Sequence, residues 1–216
     1  MNSFSLTHVG YLAVAAEWTV VLSLLAFVGG AVLGLVLALG RVSRIGALRK
    51  AAAAYIQVVQ GTPLLVLLFL SYFGISIAGL DVPPLLAAAL SLTLYTGAFL
   101  GEIWRGCIEA VARTQWEAAE CLGLSRFGQY VHVVLPQAAR IAIPPTVGFM
   151  VQVVKNTSLA SVIGFLELSR AGQVVNNSTF QPFTVFLVIA LMYFALCYPL
   201  SLASRHFERK LHVGRQ

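Results

Sequence analysis

The chain has 216 residues, 59% of them apolar and 10% charged, with a net charge of +6. A soluble domain carries roughly 25% charged residues, so this chain lacks the polar surface to cover a globule in water and reads as an integral membrane protein. Its three cysteines, Cys107, Cys121 and Cys197, show neither a disulfide framework nor metal-ligand spacing and are read as small buried residues.

Residues up to Ala16 hold no Lys or Arg, so the positive start of a cleaved signal peptide is missing. Trp18 to Gly40 then runs without a charge, which is about 35 Å of helix and enough to cross hydrocarbon with some tilt. From Ala51 to Gly101 the single charge is Asp81, and this stretch is too long for one span. The paired prolines of Asp81-Val-Pro-Pro84 divide it, and Gly61-Thr-Pro63 marks a further break upstream. After a polar segment come the apolar stretch beginning at Ile141, which contains Pro144 and Pro145, and a last run over Phe183–Ser204, with Pro199 as an expected kink. The expected fold is therefore all-α, with five membrane spans near 18–40, 57–79, 84–101, 141–160 and 183–204. The polar segment over 102–140 lies between the third and fourth.

Arg41, Arg44, Arg49 and Lys50 follow the first span, Arg105, Arg113, Arg126 and Arg140 the third, and Arg205, Arg209, Lys210 and Arg215 the fifth. Only Lys155 and Arg170 fall on the other side. The positive-inside rule then puts the N-terminus outside, and the 102–140 segment and the C-terminus in the cytoplasm. The basic tail is read as fixing topology and not as binding nucleic acid.

The polar segment holds Glu102-Ile-Trp-Arg-Gly106, Arg113-Thr-Gln-Trp-Glu-Ala-Ala-Glu-Cys-Leu-Gly123 and Val133-Val-Leu-Pro-Gln137. Thr114 and Glu117 have capping-box spacing, and Gly123 is placed to end the helix in a left-handed conformation. A second helix is expected from Ser125 until Pro136 interrupts it. A short helix between breakers suits docking into a groove of a soluble partner; the alternative is a helix lying on the bilayer through Trp116 and Leu122.

Glu117-Ala-Ala119, Gly123 and Val133-x-Leu-Pro136, at these spacings, resemble the E-A-A loop of ABC importer permeases. Gly61-Thr-Pro-Leu-Leu65, Glu102-Ile-x-Arg-Gly106, Leu135-Pro-Gln137 and Lys155-x-Thr-Ser-Leu159 extend the similarity to the polar amino-acid uptake branch, over about residues 18 to 211. The resemblance implies one of a pair of permease subunits, identical or homologous, in a bacterial inner membrane. Glu117, Ala118, Ala119, Gly123, Leu135 and Pro136 would be the coupling contact to a cytoplasmic ATPase dimer, and a periplasmic or lipid-anchored receptor would deliver the amino acid. ATP and Mg would sit on the ATPase, with no cofactor in this chain. Where the family usually has Arg before Gly-Thr-Pro, this chain has Gln60.

The chain's own residues agree with an external motor. A phosphate-cradling loop needs Gly-x4-Gly-Lys-Ser/Thr, and Lys50, Lys155 and Lys210 are followed by Ala, Asn and Leu. His8, His132, His206 and His212 share no metal-ligand spacing, so no metal site is expected. Gln60, Thr62, Lys155, Asn156, Thr157, Ser158 and Glu167 are candidates for a substrate path, because ionisable and polar groups near membrane depth line cavities. Lys155 could meet the carboxylate of an amino acid and Glu167 its ammonium; the alternative is a snorkelling Lys and a solvated Glu–Arg loop. A self-contained secondary transporter would need ion-coupling acids within the spans. A membrane enzyme would need clustered His, Asp or Glu near a membrane face. Both readings lack their residues.

Overall fold

The computed structural model describes residues 4–77 and 79–212; Arg215 of the basic tail lies outside them. Among the described residues every regular element is a helix. Four helices are long and apolar enough to cross a membrane, or five if one bent pair counts as a span.

Helix α1 runs over Leu6–Val42, 37 residues, or about 55 Å. It starts a full three turns before the expected span because nothing in 6–17 breaks a helix. Ser5 N–H donates to His8 Nδ1 at 3.1 Å at its start. At the other end Ser43 turns extended and its hydroxyl accepts from Ile45 N–H at 3.1 Å.

Helix α2, Gly46–Gly61, and helix α3, Leu64–Ile77, meet at a bend of 102°. The second span, expected over 57–79, is thus no straight rod. Pro63 denies Thr62 the helical region, and Thr62 sits extended at φ −105°, ψ 129°. Asp81-Val-Pro-Pro84 separates α3 from α4, Pro84–Glu109, which begins on a proline at its first position. Helix α4 continues eight residues beyond the expected limit of 101, so Glu102, Arg105 and Glu109 belong to it and not to a loop.

Helices α1 and α4 pack through small residues on both sides. Gly30 and Gly34 face Thr96, Gly97, Leu100 and Gly101, each pair of glycines four residues apart. A Cβ at Gly30 would lie 2.5 Å from Thr96 Cβ, and one at Gly101 would lie 2.9 Å from Leu37 Cβ. The backbones touch.

Helix α5, Arg113–Cys121, is followed by α6, Arg126–Ile163. The sequence places an interruption at Pro136; the structure instead carries the helix through it. A widened π turn over Gln129–Val134 precedes Leu135 and Pro136, and such turns absorb the clash between a proline ring and the carbonyl four residues back. Pro144 and Pro145 also lie inside α6. Its last stretch, Thr157–Ile163, tightens to a 3-10 helix and ends at Gly164 with φ +86°. Helix α7, Leu168–Thr179, and helix α8, Pro182–His212, complete the chain. Helix α7 packs Leu168, Ala171 and Val175 against Leu12 and Ala15 of α1 and Val185 and Ile189 of α8. That contact explains why α1 extends so far: its first turns have a partner.

Candidate functional site

Helix α5 is nine residues long, two and a half turns, too short to persist alone in water. Its ends are therefore decisive. The start has no side-chain cap: Ala112 is the N-cap residue, and the capping box expected of Thr114 and Glu117 is not formed. With the helix beginning at Arg113, Glu117 lies in the second turn, where Arg113 Nε donates to Glu117 Oε1 at 3.1 Å. The end is well made. Gly123 stands at φ +73°, Gly123 N–H donates to Glu120 O at 2.9 Å, and Leu124 N–H donates to Ala119 O at 3.2 Å. These two bonds form a Schellman cap, which requires a left-handed residue at Gly123.

One face of α5 is fixed to the rest of the chain. Ala119 is buried, and Trp116 meets Tyr130 of α6 edge to face at 4.9 Å. Both aromatic rings pack with Leu135 on Ile108, Val111, Val134 and Ala138. Gln137 Nε2 donates to Gln115 Oε1 at 3.2 Å. The opposite face is bare: Glu117, Ala118 and Gly123 are exposed, with Leu122 79% and Phe127 77% exposed beside them. Cys121, unlike the buried Cys107 and Cys197, is exposed here against expectation. Of the six expected coupling residues, Glu117, Ala118, Gly123 and Pro136 are exposed, while Ala119 and Leu135 pack inward. Small Ala119 admits α5 close to its own chain; exposed Ala118 leaves room for a visitor.

Trp104 Nε1 donates to Thr146 Oγ1 at 2.8 Å, tying the end of α4 to α6. Arg105 bonds Glu102 and Glu109 along α4, and Arg41 of α1 faces Glu102 at 3.6 Å. From the sequence Arg41 reads only as a base that fixes topology; its pairing with Glu102 is not legible there, because nothing local to α1 points at residue 102.

The expected substrate-path residues do not form one cluster. Gln60 Nε2 donates to Ala98 O at 3.5 Å and Thr62 Oγ1 to Val58 O at 2.7 Å, both at the α2–α3 bend. Thr157 is buried and donates to Val154 O, while Ser158 donates to Lys155 O, each at 2.7 Å. Asn156 accepts from Gln152, with its own amide nitrogen buried and unpartnered. Lys155 is exposed along a groove of about 590 Å³ between α6 and α8, which Tyr193, Cys197, Ser201 and Arg205 also line.

Glu167 differs from the expected solvated or substrate-facing acid. It is fully buried and caps α7, its carboxylate accepting from Ser169 N–H at 3.0 Å, Arg170 N–H at 2.8 Å and Tyr193 OH at 2.7 Å. Burial pushes its carboxyl up from the ordinary value, against the lowering pull of these donors. Thr19 Oγ1 accepts from Leu168 N–H at 3.1 Å beside it. Glu167 is thus spent on joining α7 to α8. Thr19 and Tyr193 escaped the sequence reading; a lone hydroxyl in an apolar run was the available signal. Among the described residues no group of His, Cys, Asp and Glu could hold a metal ion.

The long apolar helices make the chain a membrane protein, and the short, half-bare α5 stands between α4 and α6. Residues 30–213 match the family described as the binding-protein-dependent transport system inner membrane component. The chain is 34% identical over 200 residues to the "Probable amino-acid ABC transporter permease protein YckA" of Bacillus subtilis, covering 93% of this chain and 88% of that one. It is 34% identical over 195 residues to the L-cystine transport system permease protein TcyB of the same organism, covering 90% and 83%. A crystal structure of an amino acid ABC transporter with histidines superposes with a TM-score of 0.90 at 32% identity, over 97% of this chain and all of that one. The chain belongs to the family of binding-protein-dependent transport system inner membrane components and is a multi-pass permease subunit of the ABC transporter class.

Proposed function

We propose that the chain is the membrane subunit of an ATP-driven importer of polar amino acids, coupled through α5 to a separate ATPase subunit. The observation that carries the coupling is the bare face of α5, anchored by Trp116 and Ala119 on one side and ended by the left-handed Gly123. A rigid, projecting short helix presents Glu117 and Ala118 to a groove and passes a push to α6 through the Trp116–Tyr130 contact. Pro136 is exposed next to it, while Leu135 packs behind the contact. The names of the amino-acid and cystine permeases that resemble the chain support the substrate class.

ATP and Mg are held by the ATPase dimer, since no lysine of this chain has the setting of a phosphate loop. A second permease subunit completes the path, and a receptor outside the membrane supplies the solute. The charge bias supports a topology with α5 and the C-terminus in the cytoplasm and the N-terminus outside. Lys155, exposed beside Tyr193 in the α6–α8 groove, is the cation that would meet a substrate carboxylate; Gln60, Thr62, Asn156 and Ser158 contribute polar surface near helix breaks, with Thr157 buried behind them.

Gly123→Pro tests the coupling. Proline fixes φ near about −65°, incompatible with +73°, so the cap of α5 is lost. Membrane insertion should be unchanged, whereas ATP hydrolysis should no longer drive amino-acid uptake in liposomes. Normal uptake per ATP in that variant rules the coupling role out.

A further inference from the structure

The last two turns of α4 carry a charged row that docking through α5 does not use. Glu102, Arg105 and Glu109 fall on one stripe of the helix, at steps of three and four residues. Arg105 Nε donates to Glu102 Oε1 at 2.9 Å, and its terminal nitrogens bond Glu102 and Glu109. Across the seam, Arg41 Nε of α1 faces the second Glu102 oxygen at 3.6 Å. The side chains of Arg41, Glu102 and Arg105 are only 25%, 33% and 22% exposed, so water screens them less than a surface pair. Two acids near a helix C-terminus oppose its dipole; here the cations offset that local cost.

The position of the row gives it work to do. Glu109 ends α4, and only Ala110, Val111 and Ala112 separate it from Arg113 at the start of α5. Ala110 and Ala112 are exposed, so this link is held mainly by the buried Val111. Behind the row, α1 and α4 are locked through Gly30, Gly34, Gly97 and Gly101. Arg41 Nε and Glu102 Oε2 are shut off from water and make no hydrogen bond. Glu102 therefore stands between two cations, hydrogen-bonded by Arg105 through one oxygen and attracted by Arg41 through the other.

We propose that Arg105 is a positioning residue that makes α1, α4 and the root of α5 move as one body. Displacement of α5 then turns the glycine-packed pair instead of bending residues 110–112. The inference rests on the reading of α5 as the ATPase contact.

The assembled transporter in liposomes tests it, with Cys107→Ala and Cys197→Ala and spin labels on the exposed Cys121 of α5 and on Arg44→Cys after α1. With Arg105 intact, the label distance should be narrow and unchanged by trapped ATP. Arg105→Met should make that distance shift on trapping and lower solute imported per ATP by about tenfold, while Arg105→Lys restores most of both. A distance in Arg105→Met that stays narrow and independent of nucleotide overturns the proposal. Should Arg105→Met fail to assemble, Glu109→Gln carries the same measurement at a more exposed position, with the same two outcomes. Crosslinking from Cys121 to the ATPase checks the parent reading separately. No crosslink removes α5 as the contact; a crosslink with an unmoved distance removes Arg105 alone.

Discussion

The α1–α4 seam and the α6–α8 seam join long helices by opposite means. In the first, glycines bring backbones together until a single added carbon would collide. In the second, Pro144, Pro145 and Pro199 stand inside the helices, and an open groove of about 590 Å³ runs between them. Ser204 Oγ donates to Pro144 O at 2.9 Å across this looser contact. Close packing makes a pair that moves together, because interdigitated surfaces have no room to slide. Prolines remove helix hydrogen bonds and leave a pair that can bend. A transporter needs both: one part to carry a displacement and another to yield to it.

The contrast is broken most directly by adding one methyl group to each seam. Gly30→Ala places a Cβ 2.5 Å from Thr96 Cβ and should cost about 1–3 kcal/mol, read as a lower thermal midpoint in detergent. Tyr193→Phe should come next, losing about 1–3 kcal/mol by leaving a buried Glu167 oxygen short of a donor. Its melt should lose cooperativity where α7 meets α8, leaving the α1–α4 pair intact to limited proteolysis. Gly148→Ala on α6 should stay within about 0.5 kcal/mol, since the Ser204 Oγ at 3.2 Å can turn aside. A loss at Gly148 equal to that at Gly30 would erase the distinction between the seams.

The smallest effect depends on pH. Burial holds the Glu167 carboxyl above its ordinary value, so in the unfolded chain this group ionises first as pH rises. Its contribution to stability is complete below the ordinary carboxylate range and is lost as pH rises through the raised folded value. Melts against pH should show that downward slope in the parent chain and lose it in Glu167→Gln.

Much of the architecture was legible in the sequence because membrane helices announce themselves by uninterrupted apolar runs. The E-A-A spacing also singled out α5, and Gly123 was correctly read as a left-handed stop. The errors share a cause: local signals were outweighed by contacts distant in sequence. Thr114 and Glu117 had capping-box spacing, yet Trp116 packing on Tyr130 and the turn at Ala112 set the helix start. Pro136 looked like an interruption because a widened turn leaves no composition signature. Glu167 looked like a loop acid until Tyr193, 26 residues away, closed over it. The glycine seam was visible as Gly30-x3-Gly34 and Gly97-x3-Gly101, but only the fold shows that these two stripes face each other.

The π turn at Gln129–Val134 has a consequence for aim. Each residue of an α-helix advances the side chains by about 100° around the axis, and a π turn takes up one residue more than an α turn. The turn therefore acts as a phase shifter between the membrane-crossing part of α6 and everything before it. Gln129 and Val134, at its two ends, are both buried, so the shift keeps two differently phased stretches facing inward. Removing a single residue there would leave the composition and both flanking helices almost untouched. Glu117 and Ala118 would nonetheless point to a different compass bearing, away from any groove cut to receive them.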